Sequence, residues 1–383
     1  MGTRPEAIKL APVIQELKRF PQRFEVRVIA SGQHRRLAHQ VLAAFGIEPD
    51  HDLNVMTSRQ SLTRVTARVL TRLEPVLAQA QPHLVLVQGD AATAFVGALG
   101  AYYQKSAVGH VEAGLRTGDK YNPFPEEVFR RLVTPMADLH FAPTETARAT
   151  LLAEGVHRRA IYVTGNTVID ALLSVAAQDH PLPTKVARAL GRDERRLLLV
   201  TAHRRENWGP PLHHICRAVR DLVRRFEDVV AVYALHPNPQ VTEVARAELA
   251  GHKRVVLIQA PPYFQFVSLM KRAHIVLTDS GGVQEEAPAL GKPVLVLRRT
   301  TERPEGVAAG AARLAGTDAR QIVAAATTLL CDERAYQRMA RAVNPYGDGT
   351  AAQRIRQAIL HHFGLGPRPQ DFTPVYGQGM PCP

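Results

Sequence analysis

The sequence predicts an α/β protein built from two doubly wound parallel sheets. Three observations support this fold class. Short β-branched runs alternate with long amphipathic stretches, the alternation occurs in two series, and a connector rich in proline, glycine and charge separates the series. Strands separated by helices form parallel sheets from right-handed βαβ units. Such sheets bind ligands at the carboxyl ends of their strands, so we look for function there.

Each predicted strand is a short apolar run bounded by turn residues. The first series is expected at Phe24–Ser31, His83–Gln88, Ala107–Glu112, Leu139–Ala142 and Ile161–Thr164. The second is expected at Leu197–Thr201, Val229–Leu235, Arg254–Gln259, Ile275–Thr278 and Val294–Leu297. Helical periodicity lies between the strands, for example at Gln60–Ala78, Thr144–Glu154, Leu212–Phe226 and Asp318–Leu330.

The connector lies in residues 166–193, which contain HPLPTK and GRDERR. We therefore expect an N-terminal domain over 1–166 and a C-terminal nucleotide-binding domain over 167–344, facing each other across a cleft. A helix at 345–365 is expected to pack back on the N-terminal domain, and a Gly/Pro-rich tail at 366–383 is expected to be mobile. The segment GTRPEAIK reads as a turn and helix that should follow a strand, yet only Met1 precedes it. We expect the natural chain to begin upstream with that first strand.

Composition limits the class of protein. With 383 residues and 45% hydrophobic content, the chain can bury large cores. The formal net charge of +13 is spread over helix faces such as residues 217–225, which favours solvated helix faces over a nucleic-acid groove. A small anionic substrate would still benefit from the positive field. No apolar run or leader pattern predicts a membrane partner. The three cysteines have no metal-ligand spacing, so we expect reduced thiols, a cytoplasmic location and no metal.

The segment HVEAGLRTGDKYNPFPEE, residues 110–127, is the most informative part of the chain. It places Glu112, Glu126 and Glu127 in a loop after a predicted strand, and Asp90 ends the preceding βα unit in the same way. Loops at strand ends hold side chains rigidly and open to ligand. Carboxylates gathered there predict acid–base chemistry.

Two segments are candidates for phosphate binding. In GTRPEAIK, amides at a helix start would lie beside Arg4 and Lys9. In TDSGGVQEE, a strand, a glycine turn and a helix follow one another, so the Ser280 hydroxyl and the amides of Gly281 and Gly282 would face an anion. Glu285 or Glu286 in the next turns would accept from ribose hydroxyls.

Two histidines are expected at strand ends. His203 lies in TAHRREN after one predicted strand, and His236 lies in ALHPNP after the next. A shared location favours a role at the ligand-binding edge. No histidine or cysteine spacing resembles a zinc site.

Taken together, these segments resemble the non-hydrolysing UDP-N-acetylglucosamine 2-epimerases from Gly2 to about Gly349. The matching strings are GTRPEAIK, SGQHR, VQGDAATA, GHVEAGLRTGDKYNPFPEE, VTGNTVIDAL, TAHRREN, TDSGGVQEEAPALGKPVLVLR, TTERPEG and NPYGDG. The resemblance implies the glycosyltransferase-B architecture, a cytoplasmic homodimer and no cofactor. It implies interconversion of UDP-N-acetylglucosamine and UDP-N-acetylmannosamine for cell-surface polysaccharide precursors, by elimination of UDP to a glycal and re-addition.

The resemblance also assigns roles to residues. Its acid–base set is Asp90, Glu112 and Glu126, with His203 as a further catalytic residue. Its substrate contacts are Arg4, Lys9, Ser280, Gly281 and Gly282 for the diphosphate, Glu286 for the ribose, and Arg303. Its allosteric site for a second UDP-N-acetylglucosamine is Gln33, His34, Arg59, Gln60 and His236. Glu127 receives no role. Gln88 replaces a frequent histidine and Ala91–Ala92 replace threonines, so we expect activity to be reduced or retuned but not lost.

Four other functions stay open at this point. A modified UDP-sugar could be the substrate, which would require an additional cation in the sugar pocket. A glycosyltransferase of the same architecture would need an acceptor groove instead of carboxylates near C2. A non-catalytic nucleotide-sugar sensor and a nucleic-acid-binding protein are weaker alternatives.

Overall fold

The structure is a computed structural model that describes residues 1–33, 35–56, 60–191 and 195–374. The chain divides into two compact units. The first unit contains Met1–Ala171 and Tyr346–Thr373, and the second unit contains Leu172–Pro345. Among the described residues, no helix has the length and apolar character that crossing a membrane requires.

The elements alternate along the chain as the sequence predicts. The strands are β1 (Ile29–Ala30), β2 (His51–Asp52), β3 (Leu84–Gln88), β4 (Ala107–Val111), β5 (Leu139–Ala142), β6 (Ile161–Val163), β7 (Arg196–Thr201), β8 (Val229–Leu235), β9 (Val255–Gln259), β10 (Ile275–Thr278), β11 (Val294–Val296) and β12 (Ala312–Leu314). The helices are α1 (Arg4–Lys18), α2 (Arg35–Ala44), α3 (Leu62–Ala80), α4 (Ala92–Tyr103), α5 (Glu126–Val133), α6 (Glu145–Ala153), α7 (Thr167–Ala176), α8 (Thr184–Leu190), α9 (Pro210–Arg225), α10 (Pro239–Leu249), α11 (Tyr263–Arg272), α12 (Gly281–Ala289), α13 (Pro304–Ala308), α14 (Ala319–Cys331), α15 (Glu333–Ala340) and α16 (Ala351–His362).

The first unit contains two parallel sheets. One has the order β3-β4-β5-β6, and the other pairs β1 with β2. The predicted strand Phe24–Ser31 is paired only at Ile29–Ala30. Gly109 of β4 permits close packing, because a Cβ there would lie 2.6 Å from the Leu86 side chain and 3.2 Å from Phe141.

The second unit has one parallel sheet in the order β12-β11-β10-β7-β8-β9. The chain therefore builds outward from β7 in one direction and then returns to continue from β10 in the other. A doubly wound sheet binds ligands at this switch point, outside the carboxyl ends of the two central strands. Those ends lead to His203 and to Asp279, respectively.

The core of the second unit explains its sequence pattern. All seven residues of β8 are buried, and the apolar face of α9 packs in the same hydrophobic cluster. A parallel sheet covered on both faces requires continuous apolar strands. The strands of the second series show this pattern, and the polar residues at their ends are left at the sheet edges.

In the C-terminal part of the first unit, α16 packs as expected, whereas the segment that follows α16 does not match the prediction. Helix α16 packs against α1, and Arg356 pairs with Glu16 at 2.8 Å. The prediction of a mobile tail from residue 366 is wrong for residues 366–374. Phe372 is buried and its amide donates to the Val163 carbonyl at 2.7 Å, because backbone pairing compensates for the Gly/Pro-rich composition. Residues 375–383 lie outside the described residues.

Candidate active site

Glu112 is the centre of a hydrogen-bonded group in the first unit. It follows β4 directly, and its φ of +66° places a glutamate in the left-handed region. Such a conformation costs on the order of 1–3 kcal/mol and is typical of functional sites. Its carboxylate accepts from Lys9 Nζ at 2.5 Å, from Asn166 Nδ2 at 3.0 Å and from Gln88 Nε2.

These donors come from elements that meet at one edge of the sheet. Gln88 is the last residue of β3, Asn166 follows β6, and Lys9 lies in the second turn of α1. Carboxyl ends of parallel strands share an edge, so the topology brings the three donors to Glu112. The Glu112 side chain is only 7% exposed, and the ammonium of Lys9 balances its charge.

Asp90 is held by a chain of ion pairs. Arg130 of α5 donates to Asp90 Oδ2 and also lies 3.4 Å from Glu127 Oε2. Glu127 is fully buried and pairs with Arg131 at 3.3 Å. A buried carboxylate of this kind requires such partners. No role for Glu127 was predicted from the sequence, and the structure makes it a structural partner of Arg130.

Glu127 also fixes the acidic loop. Its carboxylate accepts from the amides of Thr117 and Gly118 at 3.1 and 3.2 Å. The loop residues are thereby tied to the first turn of α5, where Glu126 is the first residue. Glu126 is half-buried and forms no hydrogen bond or ion pair with another described residue.

His110 of β4 lies at the same carboxyl edge of the sheet and was not among the site residues predicted from the sequence. Its Nε2 lies 2.8 Å from the carbonyl of Gly89, the residue before Asp90. Burial, above all, lowers the pKa of His110 to about 4. The ring is therefore neutral at pH 7, and Nε2–H donates to the carbonyl and fixes the turn that carries Asp90.

The start of α1 does not match the phosphate-binding expectation. Gly2 and Thr3 donate their amides to Glu6 Oε2 at 2.9 and 2.7 Å, and the Glu6 amide donates to the Thr3 hydroxyl. This reciprocal capping occupies the amides that a phosphate would need. The expectation of free amides is wrong there, and an anion could be bound only by side chains such as Arg4.

In the second unit, Asp279 organises the ends of β7 and β10. It is fully buried, and its Oδ2 accepts from the amides of His203 and Arg204 at 2.8 Å each and from Asn207 Nδ2 at 2.9 Å. Asp279 lies in the TDSGG motif, but the sequence drew attention only to the residues after it. The carboxylate holds the His203–Arg204 turn at the switch point.

His203 is a neutral ring beside a second histidine. Burial lowers the pKa of His203 most, His236 and Arg204 lower it further, and Asp279 opposes them. The rings of His203 and His236 are stacked with centroids 5.2 Å apart. The two strand-end histidines predicted from the sequence therefore lie in contact.

The N-terminus of α12 is open to an anion. Ser280 is the N-cap residue but makes no side-chain cap, and no described group accepts from the amides of Gly281 or Gly282. A Cβ on Gly281 would lie 3.6 Å from an Arg204 guanidinium nitrogen and 3.8 Å from the guanidinium of Arg303. Free amides, a helix dipole and two guanidinium groups together suit a phosphate.

The acidic residues of α12 have fixed partners. Arg303 donates to Glu285 Oε1, which orients its guanidinium. Tyr263 donates its hydroxyl to Glu286 Oε1 at 2.8 Å, and Glu286 is buried. Arg204 and Tyr263 were not among the residues singled out from the sequence.

The remaining candidates belong to the first unit. Gln33 accepts from the Thr93 hydroxyl at 3.1 Å, and Gln60 donates to the Val55 carbonyl at 3.1 Å. His34 and Arg59 lie outside the described residues. Within the described ranges, no cluster of three or more histidine, cysteine, aspartate or glutamate side chains is arranged to hold a metal ion.

Comparisons with known proteins point to one family. The family model described as UDP-N-acetylglucosamine 2-epimerase matches residues 15–360. The UDP-N-acetylglucosamine 2-epimerase of Bacillus subtilis is 50% identical over 373 residues, covering 97% of this chain and 97% of that protein. The enzyme of the same name from Escherichia coli K12 is 50% identical, covering 94% of this chain and 97% of its own length.

A solved structure agrees with these relatives. The UDP-N-acetylglucosamine 2-epimerase of Neisseria meningitidis, whose structure holds UDP-N-acetylglucosamine, superposes with a TM-score of 0.84 at 43% identity. The similarity covers 94% of this chain and 98% of that one.

Proposed function

Because the chain belongs to the UDP-N-acetylglucosamine 2-epimerase family, we propose that it interconverts UDP-N-acetylglucosamine and UDP-N-acetylmannosamine. The observation that carries the proposal furthest is the Glu112 carboxylate at the end of β4, held by three donors on a strained backbone. A buried carboxylate held by three donors on a strained backbone is typical of a functional site.

The reaction we propose is an elimination followed by its reverse on the other face of the sugar. The C2 proton is not acidic, so its removal is coupled to cleavage of the C1–O bond. The electron pair of the C2–H bond forms the C1–C2 double bond, and the electrons of the C1–O bond leave with UDP. An acidic group on the opposite face then delivers a solvent-exchangeable proton to C2, and the UDP oxygen reattacks C1.

Asp90, Glu112 and Glu126 are the proposed acid–base set, with His203 as a further catalytic residue. Removal and delivery of a proton on opposite faces need at least two such groups. Lys9 and Arg130 keep Glu112 and Asp90 in defined orientations through ion pairs. These contacts support the assignment because a reacting group must be held within a few tenths of an ångström.

The second unit is proposed to bind the UDP moiety. The amides of Gly281 and Gly282, Ser280, and the guanidinium groups of Arg204 and Arg303 suit the diphosphate. They would also stabilise the charge that develops on UDP as the C1–O bond breaks. Glu286 is proposed to accept from the ribose hydroxyls and Arg4 to contribute a further cation.

We also propose a homodimer and activation by a second UDP-N-acetylglucosamine at Gln33, His34, Arg59, Gln60 and His236. The stack of His236 on His203 supports this proposal, because an activator that touches His236 would act directly on a catalytic group. Activation would then appear as sigmoidal dependence of rate on substrate.

The experiment is incubation of the protein with UDP-N-acetylglucosamine in deuterated water, followed by NMR of the sugar. We expect deuterium at C2 together with UDP-N-acetylmannosamine. With ¹⁸O in the C1–O–P bridge, we expect the label to scramble into the β-phosphate, since the bond breaks and re-forms. Transfer of sugar to an acceptor without C2 exchange would show a glycosyltransferase instead.

Matched variants connect the reaction to the site. Glu112→Gln should abolish C2 exchange while UDP affinity stays within about twofold, since the amide preserves size but cannot take a proton. Glu145→Gln is the control, because Glu145 in α6 is 66% exposed and lies outside the site. Normal exchange in the Glu112 variant would remove it from the acid–base set.

A further inference from the structure

A second cationic cavity lies at the other edge of the sheet in the second unit. It has a volume of about 490 Å³ and is lined by Arg196, Lys271, Arg272, His274, Lys292 and Tyr336. Arg196 begins β7, His274 directly precedes β10, and Lys292 lies two residues before β11. These are the amino ends of the strands, whereas Asp279 and Ser280 follow the carboxyl end of β10. We call this cavity the amino-edge pocket.

Its lining is strongly basic. With Arg195, which also lines the pocket, five cationic side chains face a space that no described carboxylate lines. Arg196 pairs with Asp228 at 2.5 Å, and Arg272 donates to the Arg195 carbonyl at 3.1 Å. Lys271 donates to the Ala176 carbonyl at 2.9 Å and lies 3.7 Å from Oδ1 of the fully exposed Asp179. The positive charge of the pocket is therefore only partly balanced.

Lys292 is the least compensated of these groups. Its side chain is half-buried and forms no hydrogen bond or ion pair with another described residue. Burial and the charge of Arg272 lower the pKa of Lys292. A half-buried ammonium that repels its neighbours gains when an anion enters.

His274 lies in the positive electrostatic field of the same cationic side chains. Its ring is stacked on Tyr336 with centroids 4.3 Å apart. The pKa of His274 is lowered to about 4, mostly by burial and also by Arg196 and Lys292, while Glu333 and Asp228 oppose the shift. The stack closes one wall with flat rings, so a bound anion would lie against the cationic side.

We propose that the amino-edge pocket binds a small anion of the diphosphate class. Two linked phosphate groups carry several negative charges in a small volume, which suits a space lined by five cationic side chains. The site is separate from the proposed UDP site. The four residues of β10 lie between them, which corresponds to roughly 13 Å.

The test is calorimetric titration of the full chain with inorganic pyrophosphate in the presence of saturating UDP, which occupies the other site. We expect saturable binding, weakened about tenfold by Lys292→Gln and by Arg272→Gln. Arg313→Gln is the control, because Arg313 is exposed in the same unit and does not line the pocket. UDP binding by each variant verifies that the unit is folded.

Three results would overturn the proposal. One is no saturable heat with pyrophosphate when UDP is bound. Another is equal weakening by Arg313→Gln, which would mean a general response to net charge. The third is tight binding of a single-stranded oligonucleotide that depends on Lys292 and Arg272 while pyrophosphate fails to bind, since the surface would then be one for nucleic acid.

Discussion

The Nζ atom of Lys9 lies 2.5 Å from Oε1 of Glu112, and the two side chains are 18% and 7% exposed. Lys9 belongs to the first helix of the chain, and Glu112 follows β4 more than a hundred residues later. The pair therefore ties α1 to the carboxyl edge of the sheet. Removing one member leaves the other nearly buried without its charge partner, which is costly.

Lys9→Met should affect both stability and catalysis. We expect the first unit to lose about 3 kcal/mol of stability and C2 exchange to fall about a hundredfold, because Glu112 loses a fixed orientation. Thermal unfolding and the deuterium exchange rate measure the two effects. Lys18→Met, at an exposed position of the same helix, should change neither. Full exchange activity in the Lys9 variant would mean that the pair is only structural.

Arg130→Gln should lower kcat by about 10- to 100-fold with little change in KM, because Asp90 would lose the guanidinium that positions it. Added guanidinium ion should restore part of kcat, which a merely structural arginine would not show. In a double-mutant cycle with Asp90→Asn, the two losses should not add. Arg23 is exposed in the same unit and lies outside the site, so Arg23→Gln provides the control. Additive losses and no rescue would mean that Arg130 does not act on catalysis through Asp90.

Arg204→Gln should weaken UDP binding by about tenfold or more, because its guanidinium faces the open amides at the start of α12. Equilibrium titration with UDP measures the change. The adjacent Arg205 is exposed and lies near the Trp208 ring, so Arg205→Gln should bind UDP normally. If the two substitutions weakened UDP binding equally, Arg204 would act through the overall positive charge of the unit and not through a contact with UDP.

Asp170 should give the first unit a distinctive pH dependence. Burial is the largest cause that raises its pKa from 3.8 to about 6, although the amides of Ala351 and Ala352 donate to it. Between these values the folded state binds more protons than the unfolded state. The stabilisation is complete below pH 3.8 and is lost as the pH rises through 6.

Asp170→Asn keeps an acceptor but cannot titrate. The stability of the wild type relative to this variant should fall by about 3 kcal/mol at most between pH 4 and pH 7. Thermal unfolding of both proteins across this range measures the difference. Asp179→Asn is the control, since the Asp179 side chain is fully exposed. Parallel pH profiles for the wild type and Asp170→Asn would contradict the raised pKa.

The sequence predicted the strands whose apolar runs are bounded by polar residues. Leu139–Ala142, Val229–Leu235 and Ile275–Thr278 have the predicted bounds. The strands His51–Asp52 and Ala312–Leu314 were missed, because they are too short and contain no β-branched residue. Their pairing depends on long-range partners that a local pattern does not reveal.

The residues of the candidate site were likewise predicted only in part from the sequence. Glu112 and Ser280 stand in motifs at strand ends, so their positions follow from local sequence. Asn166 and Arg130 reach the carboxylates only because separate elements meet at one edge, and neither residue type indicates this alone. Thr3 and Glu6 show the opposite case, since the capping pattern was visible and was interpreted as a phosphate site.

The packed segment after α16 has a consequence for the behaviour of the protein in solution. Strand β6 is at the end of its sheet, and Asp371 and Phe372 bond to the amide and the carbonyl of Val163. They cover an edge that would otherwise be open to strand addition by another molecule. A version of the protein shortened before residue 371 would expose that edge and would tend to aggregate, even though everything it lost was rich in glycine and proline.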